Sequence, residues 1–209
     1  VFSRRRTAPA VAAQVDGRSH FIAGSSRSGK TALVRELVAG APRLLVWDIE
    51  AQYVDLAIRI EDQAELVEAI RAGPAGPQRI AFVPRRLAWF GWWARLAFIW
   101  GRMAPGVVVA EEIADVTSAG KAPEGWGILL RRALKHGIDI YTITQRPQES
   151  DKTSLGNAST VTTFRLTSRR DRAYMADRMG LDLAELPTEP LVWIRTDDDG
   201  GVARGRLKF

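Results

Sequence analysis

The sequence predicts an α/β fold of three layers, with helices on both faces of a mostly parallel central sheet. Two observations carry that prediction. Short apolar runs alternate with segments of helical spacing along most of the chain, the pattern of parallel strands joined by crossover helices. The residues best suited to chemistry then fall at the ends of those runs: GSSRSGKT (Gly24 to Thr31), the pair Glu111–Glu112, and Gln145. Ligands on parallel sheets sit at the carboxyl ends of the strands, so the two observations support each other.

Taken in order, residues 1–18 read as an irregular or extended arm, and 19–209 as one domain. His20 to Gly24 is a short buried strand ending at the Gly-rich stretch. TALVRELVAG follows with Leu33, Leu37 and Val38 at helical spacing and Gly40 as the stop. Arg43 to Glu50 is a second strand. EDQAELVEAIRAG is a helix, ended by the loop signal GPAGP. RIAFVP is a strand, residues 87–103 an aromatic-rich helix, and Gly106 to Glu112 a strand with acids at its end. The loop SAGKAPEGWG leads to the helix GWGILLRRALKHG, and Ile138 to Gln145 is the next strand. STVTTFRL is a further strand, SRRDRAYMADRMG a helix, and PLVWIRT a late strand. DDDGG turns the chain into VARGRLKF, giving a C-terminal β-hairpin over about 190–209.

The bulk composition is that of a globular domain: 209 residues, 46% hydrophobic and 26% charged, enough to bury a sizeable core. Cysteine is absent, which removes disulfides and thiolate metal sites, and the two histidines, His20 and His136, make a zinc site a poor expectation. The net charge of +6, mostly from arginine, suits a polyanionic partner such as nucleic acid, but also fits a solvated Arg-rich surface. No apolar run is long enough for a transmembrane segment: the densest, Leu87 to Trp100, is interrupted by Arg95. The opening VFSRRRTAPAVAA lacks the hydrophobic stretch of a signal peptide.

GSSRSGKT has the spacing of a phosphate-binding loop, glycine, four residues, then Gly-Lys-Thr, placed between a strand and a helix. The backbone N–H groups of Gly24, Ser25, Ser26, Arg27, Ser28 and Gly29 can wrap a phosphate, and the following helix adds its positive end. Lys30 is then expected on the β- and γ-phosphates of ATP and the Thr31 hydroxyl on Mg²⁺. At the end of VVVAEE, Glu111 suits the acid that holds hydrated Mg²⁺ and Glu112 the acid that orients an attacking water. Glutamate in the first of these roles is a departure from the usual aspartate, and its longer arm leaves the division of roles open. Gln145, at the end of TITQ, is placed to touch the γ-phosphate or the water.

The series GSSRSGKT, LLVWDIEAQY, VVVAEEIADV, RRALKHGIDIYTITQRPQ and NASTVTTFRLTSRRD resembles the HerA/FtsK superfamily of P-loop ATPases over about residues 18–196. Within it, the small size is similar to the genome-packaging ATPases of membrane-containing icosahedral viruses. The resemblance implies a RecA-like P-loop NTPase core of the ASCE type and a hexameric ring that hydrolyses ATP between subunits to translocate double-stranded DNA. It also implies an arginine supplied by the neighbouring subunit. Relatives carry it three residues before the glycine that is Gly137 here, but this chain has Leu134 there, so Arg131 or Arg132 is the expected finger, with Arg146 as an outsider. Asp48 and Glu50 match an acidic D-x-E position of relatives, with a structural or an interface role as open as a catalytic one. A viral motor of this kind is expected in the host-cell cytoplasm or on the virion, with capsid-vertex or virion membrane proteins as further partners.

Basic residues in loops, Lys121, Lys152, Arg85 and Arg86, are candidates to grip the polymer, though each also reads as an ordinary surface charge. The tryptophans from Trp89 to Trp100 are expected to pack on the sheet. Two rivals remain at this stage: an ATPase of another DNA- or protein-export or assembly system, and a small-molecule or nucleotide kinase, against which the Glu pair and TITQRP argue.

Overall fold

The computed structural model describes residues 16–208, so the expected arm lies, up to residue 15, outside the described residues. Among the described residues nine strands form one sheet: β1 (Ser19–Ala23), β2 (Arg43–Trp47), β3 (Ile58–Ile60), β4 (Gln78–Phe82), β5 (Gly106–Ala110), β6 (Ile138–Thr144), β7 (Thr160–Phe164), β8 (Val192–Asp197) and β9 (Val202–Arg206). Their order is β3-β4-β2-β5-β6-β1-β7-β8-β9. All pairings among β1 to β7 are parallel. β8 and β9 close that edge antiparallel, as the expected hairpin. The central strands β2 and β5 are nearly continuous apolar runs because both of their faces are covered.

The helices are α1 (Lys30–Val38), α2 (Gln63–Ala72), α3 (Phe90–Gly101), α4 (Glu124–Arg132), α5 (Lys152–Gly156) and α6 (Arg169–Met179). Asp62 caps α2 through the N–H groups of Ala64 and Glu65, and Ser168 caps α6 through that of Asp171. The layers are unequal. Alternate residues of each strand sort onto opposite faces. One face meets α2, α3 and α4 through Leu45, Val108 and Ile140, and continues to α5 and α6 through Phe21 and Ala23. The other face meets α1 through Ile22, Val46, Val109 and Ile143, with Tyr53 and the C-terminal Leu207 filling beside it.

Phe90, Trp93, Ala94, Ala97 and Trp100 form the buried stripe of α3. Trp47 of β2 sits among them, 5.2 Å from Phe90 and 5.5 Å from Trp93 between ring centroids. The expected burial of the Trp-rich helix therefore holds for Trp93 and Trp100, while Ile99 is half exposed and Trp89 and Trp92 are partly buried. α3 and α4 pack closely because Gly125 has no side chain: a Cβ there would stand 2.1 Å from the carbonyl oxygen of Gly91.

The sequence reading differs from the structure at several places, among them the Gly106–Glu112 strand, which ends at Ala110. The Arg43–Glu50 strand ends at Trp47, because Asp48 turns to accept backbone N–H groups rather than continue the ladder. The helix expected through Gly137 stops at Arg132, and a 3-10 turn over Leu134–His136 ends at Gly137 in the left-handed region. The segment from residue 87 opens as a 3-10 turn, Leu87–Trp89, before α3. Edge strand β3 and helix α5 carry no periodic signal long enough to find.

Candidate functional site

Strand order places the chemistry. β1 lies between β6 and β7, and β5 is next beyond β6, so three neighbouring strand ends deliver the Gly-rich loop, Gln145 and the Glu pair. Together they line a cleft of about 230 Å³ whose walls include Ser26, Lys30, Thr31, Glu111, Glu112 and Gln145.

The loop is held by what surrounds it. The Gly24 N–H donates to the Thr144 carbonyl (3.2 Å) and the Ser25 N–H to that of Arg165 (2.9 Å). Ser25 Oγ lies 3.0 Å from Thr167 Oγ1. Gly29 takes φ 114°, a conformation open to glycine, and starts α1 with no side chain capping its N-terminus. The N–H groups of the first turn are left for a ligand. Ser28 Oγ is buried without a partner among the described residues. Lys30 is buried and its Nζ donates to the Ser25 carbonyl (3.2 Å). Burial pulls its ammonium below the usual lysine range, while Glu112 and Glu111 work the other way. A loop with unspent donors, an uncapped helix end and an inward lysine fits an anion such as a nucleotide phosphate chain.

Arg27 is exposed, in the left-handed region at φ 57°, on a groove of about 460 Å³ along the outer side of the loop, lined also by Gly29, Lys30, Thr31, Gln52 and Leu191.

Glu111 and Glu112 separate sharply. Glu111 is buried and accepts a hydrogen bond from the Tyr53 hydroxyl (2.8 Å). Burial pushes its carboxyl up to about 7, against the Tyr53 hydrogen bond, Lys30 and the Thr31 hydroxyl, which favour the ionised form. Glu112 sits in the left-handed region (φ 47°, ψ 57°), past the strand, and its Oε1 accepts the Gln145 N–H at 2.9 Å. Burial raises it too, opposed first by that bond and then by Lys30. Among the described residues, no cluster of three or more His, Cys, Asp or Glu side chains could cage a metal. Within the cleft the Thr31 hydroxyl and the Glu111 carboxylate lie together as oxygen donors. That set suits Mg²⁺, a hard ion that keeps most of its coordination for phosphate and water.

The remaining expected residues lie elsewhere. Arg131 and Arg132 are exposed on the last turn of α4 and do not line the cleft. Arg146 is exposed and paired with Glu149 at 3.3 Å. Lys121, Lys152, Arg85 and Arg86 are all exposed. Asp48 is buried and accepts the N–H groups of Gln52 (2.7 Å) and Tyr53 (2.9 Å), a structural task, whereas Glu50 is exposed at the cleft. Sequence reasoning missed Tyr53, Gln52 and Asp115 at the site. Tyr53 stands in the quoted stretch LLVWDIEAQY, but no spacing rule singles it out.

α4 is tied to the site by a chain of buried and partly buried hydrogen bonds. Trp126 Nε1 donates to Ser154 Oγ (2.8 Å), which donates to Asp151 (2.7 Å). The Asp151 N–H reaches Thr117 Oγ1 (3.2 Å), and that hydroxyl donates to the Ile113 carbonyl, next to Glu112. Among the described residues, no helix is long and apolar enough to cross a membrane.

No protein-family model matches the chain. It is 34% identical over 171 residues to Protein P9 of Pseudoalteromonas phage PM2, covering 80% of this chain and 77% of the phage protein. Its fold matches the genome packaging NTPase B204 from Sulfolobus turreted icosahedral virus 2, solved in complex with ATP-γS. The TM-score is 0.74 at 10% identity, over 92% of this chain and 98% of that one. B204, the DNA-packaging ATPase from Sulfolobus Turreted Icosahedral Virus, matches with a TM-score of 0.69 at 12% identity, over 93% and 100% of the two chains. The α/β fold expected from the sequence is thus the fold of viral packaging NTPases.

Proposed function

The chain belongs to the family of Protein P9 of Pseudoalteromonas phage PM2, and we propose that it is an ATP-hydrolysing motor that moves double-stranded DNA, packaging a viral genome into a preformed capsid. The observation that carries this reading is the meeting in one cleft of Lys30, Thr31, the two dissimilar glutamates and Gln145. A kinase needs an acceptor pocket. This cleft instead presents a carboxylate, Glu112, held by the backbone of the neighbouring strand end, where a water can be polarised.

In the proposed cycle, the loop from Gly24 to Gly29 and the end of α1 bind the phosphates, and Lys30 balances their charge. Thr31 and Glu111 would hold Mg²⁺, which when bound neutralises charge on the phosphates. Glu112 takes the proton of the attacking water and Gln145 orients that water. Arg131 or Arg132 of a neighbouring copy completes the site, since a cation there stabilises the charge of the transferring phosphoryl group. Their position outside the cleft of their own chain, on the exposed end of a helix, supports a role across a subunit boundary in a hexameric ring. Exposed Lys121, Lys152, Arg85 and Arg86 are the proposed DNA-facing cations, and the proposed setting is the host-cell cytoplasm, with capsid-vertex or virion membrane proteins as docking partners.

The test is phosphate release with and without double-stranded DNA across a salt series. Hydrolysis that is stimulated by DNA, fades with salt, and rises more steeply than linearly with protein concentration is expected. Turnover that requires a small acceptor, or a specific activity independent of both DNA and dilution, would overturn the reading.

A further inference from the structure

The glutamate at position 111 raises a geometric problem that the structure answers. Glutamate has one more rotatable bond than aspartate, so a metal-binding carboxylate on that arm must be held by something else. The holder is in place. Tyr53 is fully buried and its hydroxyl donates to Glu111 Oε1 at 2.8 Å, across 58 residues of sequence. Tyr53 is itself fixed from three sides. Asp48 takes its N–H (2.9 Å) and that of Gln52 (2.7 Å), and the Asp48 N–H in turn donates to the Phe82 carbonyl (2.9 Å). Arg35 of α1 bonds the Gln52 carbonyl and the Asp55 carboxylate, with its guanidinium 5.9 Å from the Tyr53 ring centre. The ring packs in the core under α1.

We propose that Tyr53 is a positioning residue for Glu111: its hydroxyl takes one carboxylate oxygen and so aims the other at the divalent ion of a metal–nucleotide complex beside Thr31 and Lys30. The segment Asp48–Tyr53 is then the support of the metal carboxylate, and Tyr53 is what lets this chain carry glutamate at that place. The inference rests on the reading of Glu111 as the magnesium ligand.

Tyr53→Phe removes one hydroxyl and keeps the buried ring. Loss of such a supporting partner costs about 10- to 100-fold in metal affinity. Mn²⁺ binding to the protein–ATP complex, followed by electron paramagnetic resonance, is expected to weaken by about tenfold or more. ATP affinity in EDTA stays near wild type, while the melting temperature falls because a buried Glu111 oxygen loses its donor. In the Glu111→Gln background, Tyr53→Phe is expected to have no further effect on Mn²⁺, because the group it acts through is gone. Equal Mn²⁺ affinity in wild type and Tyr53→Phe overturns the inference, as does an equal loss of ATP affinity in EDTA or a full additional loss in the double variant. A wild-type chain that binds Mn²⁺–ATP but does not hydrolyse it sinks the motor and leaves Tyr53 standing on its own measurement. A wild-type chain that binds no metal–nucleotide complex overturns both.

Discussion

Glu112→Gln separates binding from hydrolysis most cleanly. The backbone of Glu112 is in the left-handed region, φ 47° and ψ 57°, which glutamine adopts at the same modest cost as glutamate. Its Oε1 accepts the Gln145 N–H at 2.9 Å, and the amide oxygen of glutamine can accept the same bond. The substitution therefore preserves the loop and removes a charge. Because burial already disfavours the ionised carboxylate, taking the charge away does not destabilise the fold, and the stability change should stay within about 0.5 kcal/mol. The effect on turnover follows from the role. A positioned general base is worth about 10²- to 10⁴-fold, or roughly 3–5 kcal/mol of barrier at 1.36 kcal/mol per decade. Fluorescent-nucleotide binding should be unchanged or tighter, since a negative group near the phosphates is gone, while phosphate release falls by that factor. Turnover within about fivefold of wild type would refute the assignment of Glu112 as the base, since that is too small for the lost role.

Lys30→Ala should weaken nucleotide binding by about 10- to 100-fold, the size of a lost charge-assisted contact, and abolish measurable turnover without lowering the melting temperature. Unchanged affinity in a titration would remove Lys30 from the phosphate site. Ser154→Ala leaves the buried Trp126 Nε1–H unpaired and takes one bond from Asp151, a cost of about 1–3 kcal/mol that calorimetry should show as a lower melting temperature. A melting curve that overlays wild type would mean that water or a rearrangement satisfies both groups. His20 gives a pH signature: burial lowers its imidazole to about 4, with its Nδ1 2.8 Å from Thr160 Oγ1 and its ring stacked on Tyr141. As pH falls from 6.5 to 4 the unfolded chain takes the proton and the folded chain does not, so up to roughly 3 kcal/mol of stability is lost across that window. Denaturant melts of His20→Phe should lose less over the same range. Parallel pH profiles for the two chains would contradict a neutral, partly buried histidine.

The fold was legible because strands and helices alternate along the chain, and RLLVW and GVVVA at the centre of the sheet are nearly continuous apolar runs. β3, a strand of three residues, and α5, a helix of little more than one turn, are too short for their own periodicity to register, and tertiary contact decides. The phosphate loop was legible because its chemistry is local. Tyr53 was not, because its partner lies 58 residues away and the pairing exists only once β2 and β5 lie side by side. The same holds for Asp48: an acid after a strand can be a ligand or a turn-former, and only its two backbone partners tell which.

The C-terminal hairpin takes a different meaning from its place in the sheet. Catalytic loops work best when their supports are rigid before the ligand arrives. The phosphate loop here is braced by β6 through Thr144, by the segment after β7 through Arg165 and Thr167, and by the chain entering β8. Leu191, at φ 66°, donates its N–H to the Ser28 carbonyl at 2.9 Å and accepts that of Leu207 at 3.0 Å. A bulky residue in the left-handed region costs about 1 kcal/mol or more and persists where its surroundings over-determine it. The over-determination is visible: Leu207 Cδ1 and Leu191 Cδ2 stand 3.0 and 3.2 Å from where a Cβ at Gly29 would sit, tighter than van der Waals contact. The hairpin β8–β9 thus does two things at once. It ends the sheet antiparallel, and the two residues that flank it clamp the outer side of the phosphate loop. Cutting the chain before Leu191 should then loosen nucleotide binding although it removes no residue that faces the cleft of Lys30, Glu111 and Gln145.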